Sequence, residues 1–225
     1  KCTCLRIRPK YTIIFNYKLY SFILIMVKTN SNLVALGSNL PRFDLFDVNS
    51  YSNKNYSFFD LDERPLLIMF ICPHCPFVKY IEPEISKINQ SFKDKVQMIA
   101  ISSNDISTHP SDSPENMKIQ AKNNGWKFPY LYDKDQSFAK KLEAACTPDF
   151  YLFSNSCDKK FSLYYHGQLD SSRPSNEIPL SGHDLRAAIK SLEDNKAYSS
   201  PQLPSLGCNI KWTPGTEPIW FKSNK

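Results

Sequence analysis

Apolar and polar positions follow two different periods along the chain. Residues 66–71 are apolar throughout and follow Pro65, which predicts a short strand buried on both faces. Directly after this run, apolar residues recur at spacings of three and four, which predicts one amphipathic helix over residues 74–92. The stripe consists of Val78, Ile81, Ile85, Ile88 and Phe92. Pro83 lies within the predicted helix and is expected to kink it.

The pattern continues up to about residue 192. A second strand is predicted over residues 96–102, followed by a helix with Ser113 as N-cap, Pro114 at its first position and Gly125 as its stop. The later elements are a short extended segment over 129–133, a helix over 139–145, and strands over 150–153 and 161–166.

The last helix is predicted to open with Ser181 and Asp184 at the spacing of a capping box. The strands and helices together follow an alternating order that is typical of a layered α/β domain. We therefore predict an α/β fold class for the core of the chain.

Two attachments flank this core. Residues 41–48 alternate polar and apolar side chains and are expected to pair with residues 56–60, which predicts an N-terminal hairpin extension. Beyond the last helix, repeated prolines and glycines predict an irregular C-terminal tail that packs partly on the domain. The chain is therefore divided into a leader over residues 1–25, a domain over 33–195 and a tail over 196–225.

The basic excess of the chain is concentrated in its leader. The formal net charge is +6, but five basic residues and no acidic ones precede Met26, which leaves 23 of the 28 basic residues against 22 acidic ones. The remainder has no basic block and no long apolar span. Neither nucleic acid nor a membrane is therefore an expected partner.

The leader has two interpretations. Because the chain begins with Lys1 and Met26 is the first plausible start, residues 1–25 are interpreted as translated upstream sequence or a disordered leader. Alternatively, the apolar run over residues 19–27 belongs to a signal peptide. That run is shorter than the roughly 20 apolar residues that span a bilayer, and no small-residue cleavage pair follows it closely.

Cysteine usage indicates a reducing compartment. Of the seven cysteines, two lie in the leader, and the others are Cys72, Cys75, Cys146, Cys157 and Cys208. An odd number argues against a disulfide-stapled secreted framework, and a chain with an adequate core does not need staples. We therefore predict a cytoplasmic protein whose thiols do chemistry, with Cys157 as an incidental surface thiol.

The main chemical feature is the dithiol segment Cys72-Pro73-His74-Cys75, which joins the first core strand to the first helix. Free backbone N–H groups and the helix dipole stabilise a thiolate in the first turn of a helix, so we expect Cys72 there with a depressed pKa. Cys75 is placed to attack a mixed disulfide formed at Cys72. Cys72 is thus the predicted nucleophile and Cys75 the resolving thiol, while Pro73 and His74 shape the site.

A zinc site is the structural alternative for two cysteines at this spacing. Tetrahedral zinc usually needs a second such pair or two suitably spaced histidines, and the four histidines of this chain are dispersed. We predict no metal and no cofactor. A non-enzymatic protein that binds copper(I) or zinc through Cys72, His74 and Cys75 stays open as a further hypothesis.

Residues 70–79, which contain the dithiol, resemble the active-site segment of a known family. It is a bacterial branch of the thioredoxin-like redoxins, allied to alkyl hydroperoxide reductase and thiol-specific antioxidant proteins. Later segments resemble the same branch in order, and the resemblance covers about residues 33–212. These segments are residues 100–105, 128–133, 145–150, 167–170 with 172–174, and 207–212. The resemblance implies a thioredoxin fold, in which helices flank a central mixed sheet.

The resemblance also implies roles for residues far from the dithiol in sequence. Thr147 and Pro148 would form a cis-proline turn beside the dithiol, where backbone is offered to a bound substrate. Cys146 would then lie within reach of the site. Cys208 belongs to a motif of the family, and its role is either packing or resolution. Both are therefore candidate accessory thiols.

These observations predict a thiol-disulfide oxidoreductase in cellular redox homeostasis and antioxidant defence. Its partners would be protein or small-molecule disulfides and an external thiol reductant. A peroxiredoxin-like thiol peroxidase is the alternative, because Pro65 stands seven residues before Cys72 as in the signature Pro-x-x-x-Thr-x-x-Cys. Met69 occupies the threonine position, and its thioether cannot donate the hydrogen bond that helps to orient a peroxide.

Overall fold

The computed structural model describes residues 28–50, 52–156 and 158–222, within which ten strands and five α-helices are found. The strands are β1 Lys28–Asn30, β2 Asp44–Asp47, β3 Asn55–Ser57, β4 Leu66–Phe70, β5 Gln97–Ser102, β6 Tyr130–Tyr132, β7 Cys146–Thr147, β8 Asp149–Ser156, β9 Lys160–Gly167 and β10 Leu206–Asn209. The helices are α1 Pro76–Phe92, α2 Pro114–Asn123, α3 Ser137–Lys141, α4 His183–Glu193 and α5 Ile219–Lys222. The predicted leader over residues 1–25 and Cys157 lie outside the described residues.

A mixed sheet of seven strands runs through the molecule in the order β3-β2-β6-β5-β4-β8-β9. β4 lies inside it, parallel to β5 and antiparallel to β8, so that Ile68 is opposite Ile99 on one side and Tyr151 on the other. All five residues of β4 are buried. The prediction of a strand that is covered on both faces is confirmed, as is the α/β fold with a central mixed sheet.

Alternate residues of β4 contribute to two separate hydrophobic cores, since successive side chains of a strand point to opposite faces. Leu67 and Met69 pack with the apolar residues of α1, α2 and α4. Ile68 and Phe70 pack with α3 and with aromatic residues near the C-terminus, among them Trp212. Helix α1 continues past Pro83 to Phe92. The apolar stripe predicted for this helix is confirmed as its buried face, apart from the half-buried Phe92.

Two predicted helix bounds are wrong. The third helix ends at Lys141 rather than at residue 145, because Glu143 adopts a left-handed conformation with φ of 52° and the chain then enters β7. The N-cap of α4 is Gly182, whose φ is 65°, and the capping box with Ser181 and Asp184 does not form. Instead, the Asp170 carboxylate accepts the backbone N–H groups of Ser181 and Gly182 at 2.8 and 2.6 Å.

The C-terminal tail is irregular over most of its length, but it contains one strand and one short helix that the prediction missed. Residues 206–209 form β10, which pairs antiparallel with β1 on one side and with β7 on the other. The prolines of the tail flank this segment without falling within it, so its backbone N–H groups are available for strand pairing. A segment near the end of the chain thus lies directly beside the turn at Thr147 and Pro148.

The N-terminal hairpin is formed by β2 and β3, as predicted. β2 also pairs antiparallel with β6, so the hairpin extends the main sheet at one edge. Within the residues that the structure describes, no helix has both the length and the apolar character needed to cross a bilayer.

Candidate redox site

The dithiol lies in the connection between β4 and α1, at the carboxyl end of β4. Its second cysteine, Cys75, is the N-cap of α1. Cys72 precedes the helix, so its predicted place in the first helical turn is wrong. The physical reason is Pro76 at the first helical position, because a proline disfavours helical backbone in the residue before it. Cys75 accordingly has extended backbone angles, with φ of −66° and ψ of 120°.

Both thiols of the dithiol contact Thr147. Its hydroxyl oxygen lies 3.5 Å from Cys72 Sγ, and its carbonyl oxygen lies 3.3 Å from Cys75 Sγ. The peptide bond between Thr147 and Pro148 is cis. The structure therefore brings together four of the predicted site residues from two segments of the chain. Cys72 and Cys75 are buried, and neither is in a disulfide.

Cys208 is brought to the same point by strand pairing. In the pairing of β10 with β7, Cys208 lies opposite Thr147. The Cys208 thiol hydrogen-bonds the Cys75 sulfur. The sequence motif around Cys208 had left open whether it has a packing or a redox role, and the structure adds a direct contact with the dithiol.

Cys146 is also buried, but its hydrogen bonds go elsewhere. Its Sγ lies 3.7 Å from the carbonyl oxygen of Pro148 and 4.0 Å from that of Ser205. Burial raises the pKa of the Cys146 thiol well above its usual value. These contacts are those of a thiol that packs behind the turn.

Asp112 holds His74 in place and was not identified from the sequence. It ends a 3-10 helix, Pro110–Asp112, and is fully buried. Its carboxylate accepts hydrogen bonds from the His74 backbone N–H at 3.0 Å, from His74 Nδ1 at 2.5 Å and from Asn104 Nδ2 at 2.7 Å. His74 Nδ1 in turn lies 3.9 Å from Cys72 Sγ. The side chain that was expected to tune the dithiol is thus fixed over Cys72 by a buried carboxylate.

The electrostatic environment of the two thiols differs from the sequence-based expectation. Hydrogen bonds from Cys208 and from Cys72 lower the pKa of Cys75, although its burial opposes this. Burial, followed by the hydrogen bond with Cys75, raises the pKa of Cys72 well above its usual value. The predicted depression of the Cys72 pKa is therefore wrong for the reduced protein, because Cys75 occupies the helix N-cap and receives two thiol donors. Of these coupled thiols, Cys75 is the one whose pKa is lowered.

The comparisons with known proteins bear on this site. The family model described as the AhpC/TSA family matches residues 36–158, which is more than half of the chain and includes the dithiol. The chain belongs to the AhpC/TSA family. This membership confirms the resemblance to thioredoxin-like redoxins. A search of curated proteins found no match.

Solved structures agree with this family assignment. An uncharacterised conserved protein from Geobacillus kaustophilus is 42% identical with a TM-score of 0.79, over 85% of this chain and 99% of its own. A hypothetical protein from Sinorhizobium meliloti 1021 is 38% identical with a TM-score of 0.77, over 83% of this chain and 100% of its own. A thioredoxin-like protein in its oxidised form is 18% identical with a TM-score of 0.55, over 72% and 99%, and supports the fold alone.

A surface groove of about 550 Å³ lies beside the dithiol of this AhpC/TSA chain. Pro73 and His74 form part of its wall, and the rest comes mainly from polar side chains of α1 and α2. Gln120 is one of them, and its Nε2 donates to the Cys72 carbonyl oxygen at 3.5 Å and to Glu82 at 2.7 Å. One residue of the groove wall thus contacts the backbone of the first cysteine.

The residues that are arranged for a metal differ from those of the sequence-based hypothesis. Cys72, His74 and Asp112 offer ligand atoms within 4.8 Å of one another, and this is the group found among the described residues. Asp112 thus takes the place that the hypothesis gave to Cys75. Because His74 Nδ1 and the Asp112 carboxylate already satisfy each other by a hydrogen bond, the cluster is complete without an ion.

The lowered pKa of Cys75 predicts how the ultraviolet absorbance of the reduced AhpC/TSA chain depends on pH. We expect the 240 nm thiolate band of Cys75, obtained as the difference between the wild type and Cys75→Ser, to persist well below the usual cysteine pKa of about 8.5. Cys208→Ala should shift this titration upward, because it removes a hydrogen-bond donor. A difference band that titrates near pH 8.5 in the wild type would contradict the assignment.

Asp112→Asn should destabilise the fold, because His74 then loses a charge-assisted acceptor. Although burial raises the pKa of Asp112, the hydrogen bonds from His74 and Asn104 outweigh it and hold the pKa below its usual value. A carboxyl whose pKa is depressed by folding stabilises the protein above its unfolded pKa of about 4, and this contribution is lost as the pH falls through the folded pKa. We expect a loss of about 1–3 kcal/mol at pH 7.

Urea unfolding at pH 7 and at pH 3 measures this difference. The difference in stability between wild type and Asp112→Asn should narrow at the lower pH, as protonation of the Asp112 carboxylate sets in. Asp194→Asn, which alters a surface carboxyl that pairs only with exposed lysines, is the control and should shift the unfolding midpoint little, because exposed ion pairs contribute little to stability. Equal stability of Asp112→Asn and wild type at pH 7 would show that the hydrogen bonds between His74 and Asp112 do not stabilise the fold.

Proposed function

We propose that the chain is a thiol-disulfide oxidoreductase in which Cys72 is the nucleophile and Cys75 the resolving thiol. The observation that carries the proposal is the convergence of both sulfurs on Thr147 at 3.5 and 3.3 Å, and the lowered pKa of Cys75 is consistent with it. Membership of the AhpC/TSA family supports it. The partners would be disulfides and an external thiol reductant, and the proposed location is the cytoplasm.

The assignment of roles follows from access and charge. Both thiols are buried, but Cys72 directly precedes Pro73 and His74, which line the groove, whereas Cys75 follows them at the N-cap of α1. Attack begins when the Cys72 proton moves to the Cys75 thiolate, to which it is already hydrogen-bonded. The resulting Cys72 thiolate displaces one half of the substrate disulfide, and the departing thiolate takes the proton from Cys75.

The second half-reaction is intramolecular. The Cys75 thiolate attacks the Cys72 sulfur of the mixed disulfide, and the second half of the substrate leaves as a thiolate that is protonated from solvent. The substrate has gained two electrons and two protons, and the protein holds a Cys72–Cys75 disulfide. An external thiol reductant supplies two electrons and returns the dithiol.

Reduction of insulin by dithiothreitol, monitored as turbidity, tests this proposal. The full chain should accelerate precipitation of the insulin B chain, and Cys157→Ser should act like the wild type. A rate equal to that of dithiothreitol alone, together with failure to reduce a glutathionylated peptide, would contradict a role as an oxidoreductase.

Peroxide reduction is a second candidate, and one contact favours it. Met69 is buried on β4 and offers no donor, but the Thr147 hydroxyl lies 3.5 Å from Cys72 Sγ and is able to donate to a peroxide oxygen there. Cys72 would be oxidised to a sulfenic acid with release of an alcohol or water, and Cys75 would resolve it to the disulfide with loss of water. Stopped-flow oxidation of the reduced chain by hydrogen peroxide separates the two: a rate no faster than that of a free thiol excludes the peroxidase.

A further inference from the structure

Three thiols from distant parts of the sequence meet at Thr147. Cys72 lies near its hydroxyl, Cys75 near its carbonyl, and Cys208 opposite it across the β7–β10 pairing. All three sulfurs belong to the same hydrophobic core and are buried. Cys75 is the central member, because both other thiols hydrogen-bond its sulfur.

The close approach of Cys208 depends on the residue before it. A Cβ atom on Gly207 would lie 2.0 Å from the Thr147 carbonyl oxygen, a separation that no side chain can adopt. Glycine therefore lets β10 come close enough to β7 for Cys208 to contact Cys75. β10 is also held from its other side by β1, where Cys208 is opposite Lys28. The third thiol is thus placed by two strand pairings, which limits its freedom to move away.

We propose that Cys208 is a third redox-active thiol of the site, which exchanges with the Cys72–Cys75 disulfide to form a Cys75–Cys208 disulfide and return Cys72 as a thiol. This inference rests on the proposed function, because that function supplies the Cys72–Cys75 disulfide. It extends the site from a dithiol to a thiol relay that links helix α1 to the C-terminal strand.

The exchange needs no further oxidant or reductant. Cys208 attacks the Cys75 sulfur as a thiolate, the bond between Cys75 and Cys208 forms, and the bond between Cys72 and Cys75 breaks. Cys72 leaves as a thiolate and takes up the proton that Cys208 has lost. The protein remains oxidised by two electrons throughout, and only the position of the disulfide changes.

The electrostatics of the reduced cluster are consistent with this step. The hydrogen bond to Cys75, with burial as a second cause, raises the pKa of Cys208 in the reduced protein. Once Cys75 is in a disulfide it carries no charge, so the larger cause of the raised pKa is removed. Cys208 then loses its proton more easily in the oxidised protein, where the exchange takes place.

The exchange has a consequence for catalysis. With Cys75 bound to Cys208, Cys72 is again able to attack a substrate disulfide, but its resolving thiol is occupied. A mixed disulfide on Cys72 therefore persists until Cys75 is released. The relay thus makes the lifetime of the substrate complex depend on the redox state of the C-terminal strand.

Disulfide mapping of the full chain tests the proposal. Cys2, Cys4 and Cys157 are replaced by serine in every variant so that they cannot exchange. In this background Cys72→Ser leaves Cys75, Cys146 and Cys208, and the protein is oxidised with one equivalent of diamide, alkylated, digested and analysed by mass spectrometry. We expect a Cys75–Cys208 disulfide in most molecules, with Cys146 alkylated.

Matched variants separate this contact from general thiol oxidation. Adding Cys146→Ser to the Cys72→Ser chain should leave the Cys75–Cys208 disulfide in place, and adding Cys208→Ala should abolish it. Alkylation of both Cys75 and Cys208 after diamide treatment of the Cys72→Ser chain would overturn the proposal, provided that its circular dichroism spectrum matches that of the wild type.

The chain that retains Cys72 shows whether exchange itself occurs. After oxidation and quenching with acid, part of the population should carry the Cys75–Cys208 link with Cys72 alkylated, and detection of the Cys72–Cys75 link alone would overturn the exchange. Failure of the insulin assay with a Cys75–Cys208 disulfide present would reject the proposed function and retain the third redox thiol. Insulin reduction without a Cys75–Cys208 disulfide would reject the third redox thiol and retain the proposed function.

Discussion

Cys72→Ser is expected to abolish disulfide reduction, with a loss of at least ~10³-fold in the rate of insulin reduction. A serine hydroxyl is not ionised near neutral pH and cannot form the mixed disulfide with which the reaction starts. The side chain is nearly isosteric and its contact with Thr147 is retained, so the fold should not change. Insulin turbidity measured with equal amounts of wild type and variant gives the ratio directly.

Cys75→Ser should fail at a later step and can be distinguished from Cys72→Ser. Cys72 is still able to attack the substrate, but the mixed disulfide is no longer resolved by its neighbour. Mass spectrometry should therefore show Cys75→Ser covalently bound to the insulin chain, and Cys72→Ser should show no adduct. If both variants reduced insulin at the wild-type rate, the dithiol would not be the site of reaction.

Gly207→Ala is the substitution with the largest expected effect on stability. The new Cβ would meet the backbone carbonyl of Thr147 at 2.0 Å, and neither strand can yield without breaking the pairing of β10 with β7. Overpacking in a core costs typically 1–3 kcal/mol, and a clash with backbone belongs at the upper end. We expect a loss of about 3 kcal/mol or more in the free energy of unfolding, measured by urea denaturation.

Gly215→Ala is the matched control for this effect. Nothing lies within 4 Å of its Cβ position, and only its positive φ of 85° disfavours a side chain. Its expected cost is roughly 1–2 kcal/mol, that of a left-handed backbone conformation. A Gly207→Ala protein that is as stable as the control would show that β10 is not held against β7 as the structure has it.

Local sequence signals were sufficient to predict much of the fold. The apolar run of β4 and the apolar stripe of α1 each depend on side chains within a single segment, and both are found as predicted. The N-cap of α2 is equally local: the Ser113 hydroxyl accepts the Asn116 N–H at 3.4 Å. The start of α4 was missed because the N–H groups of the two residues before the helix, Ser181 and Gly182, are bound by Asp170, which lies 12 positions before Gly182 in the chain.

The site itself was predicted only in part, because some of its contacts join segments that are far apart in the sequence. Cys72 and Cys75 are recognisable because they are close in sequence, and the family resemblance indicated Thr147 and Pro148. Asp112 and the contact of Cys208 arise from packing between segments that are far apart in the chain. One signal for Asp112 was available, since it follows β5, which runs parallel to β4 and ends at the same edge of the sheet.

The charge distribution was the least predictable property. The sequence pattern located the helix start within two residues, but a thiolate is stabilised at the N-cap, Cys75, and not three residues earlier at Cys72. Pro76 determines which cysteine is the N-cap, and Cys208 adds a donor from the opposite end of the chain. An estimate based on the segment alone therefore assigned the anion to Cys72 instead of Cys75.

The most direct test of the central claim is a redox titration of the wild-type chain in glutathione buffers, read by alkylation and peptide mapping. We predict that Cys75 becomes protected in a single two-electron transition and is recovered in a disulfide with Cys72 or Cys208, reversibly on return to reducing buffer. Cys146 should be alkylated only after denaturation and at every potential. If Cys75 stayed reduced even in the most oxidising buffer, the cluster at Thr147 would not be a redox site.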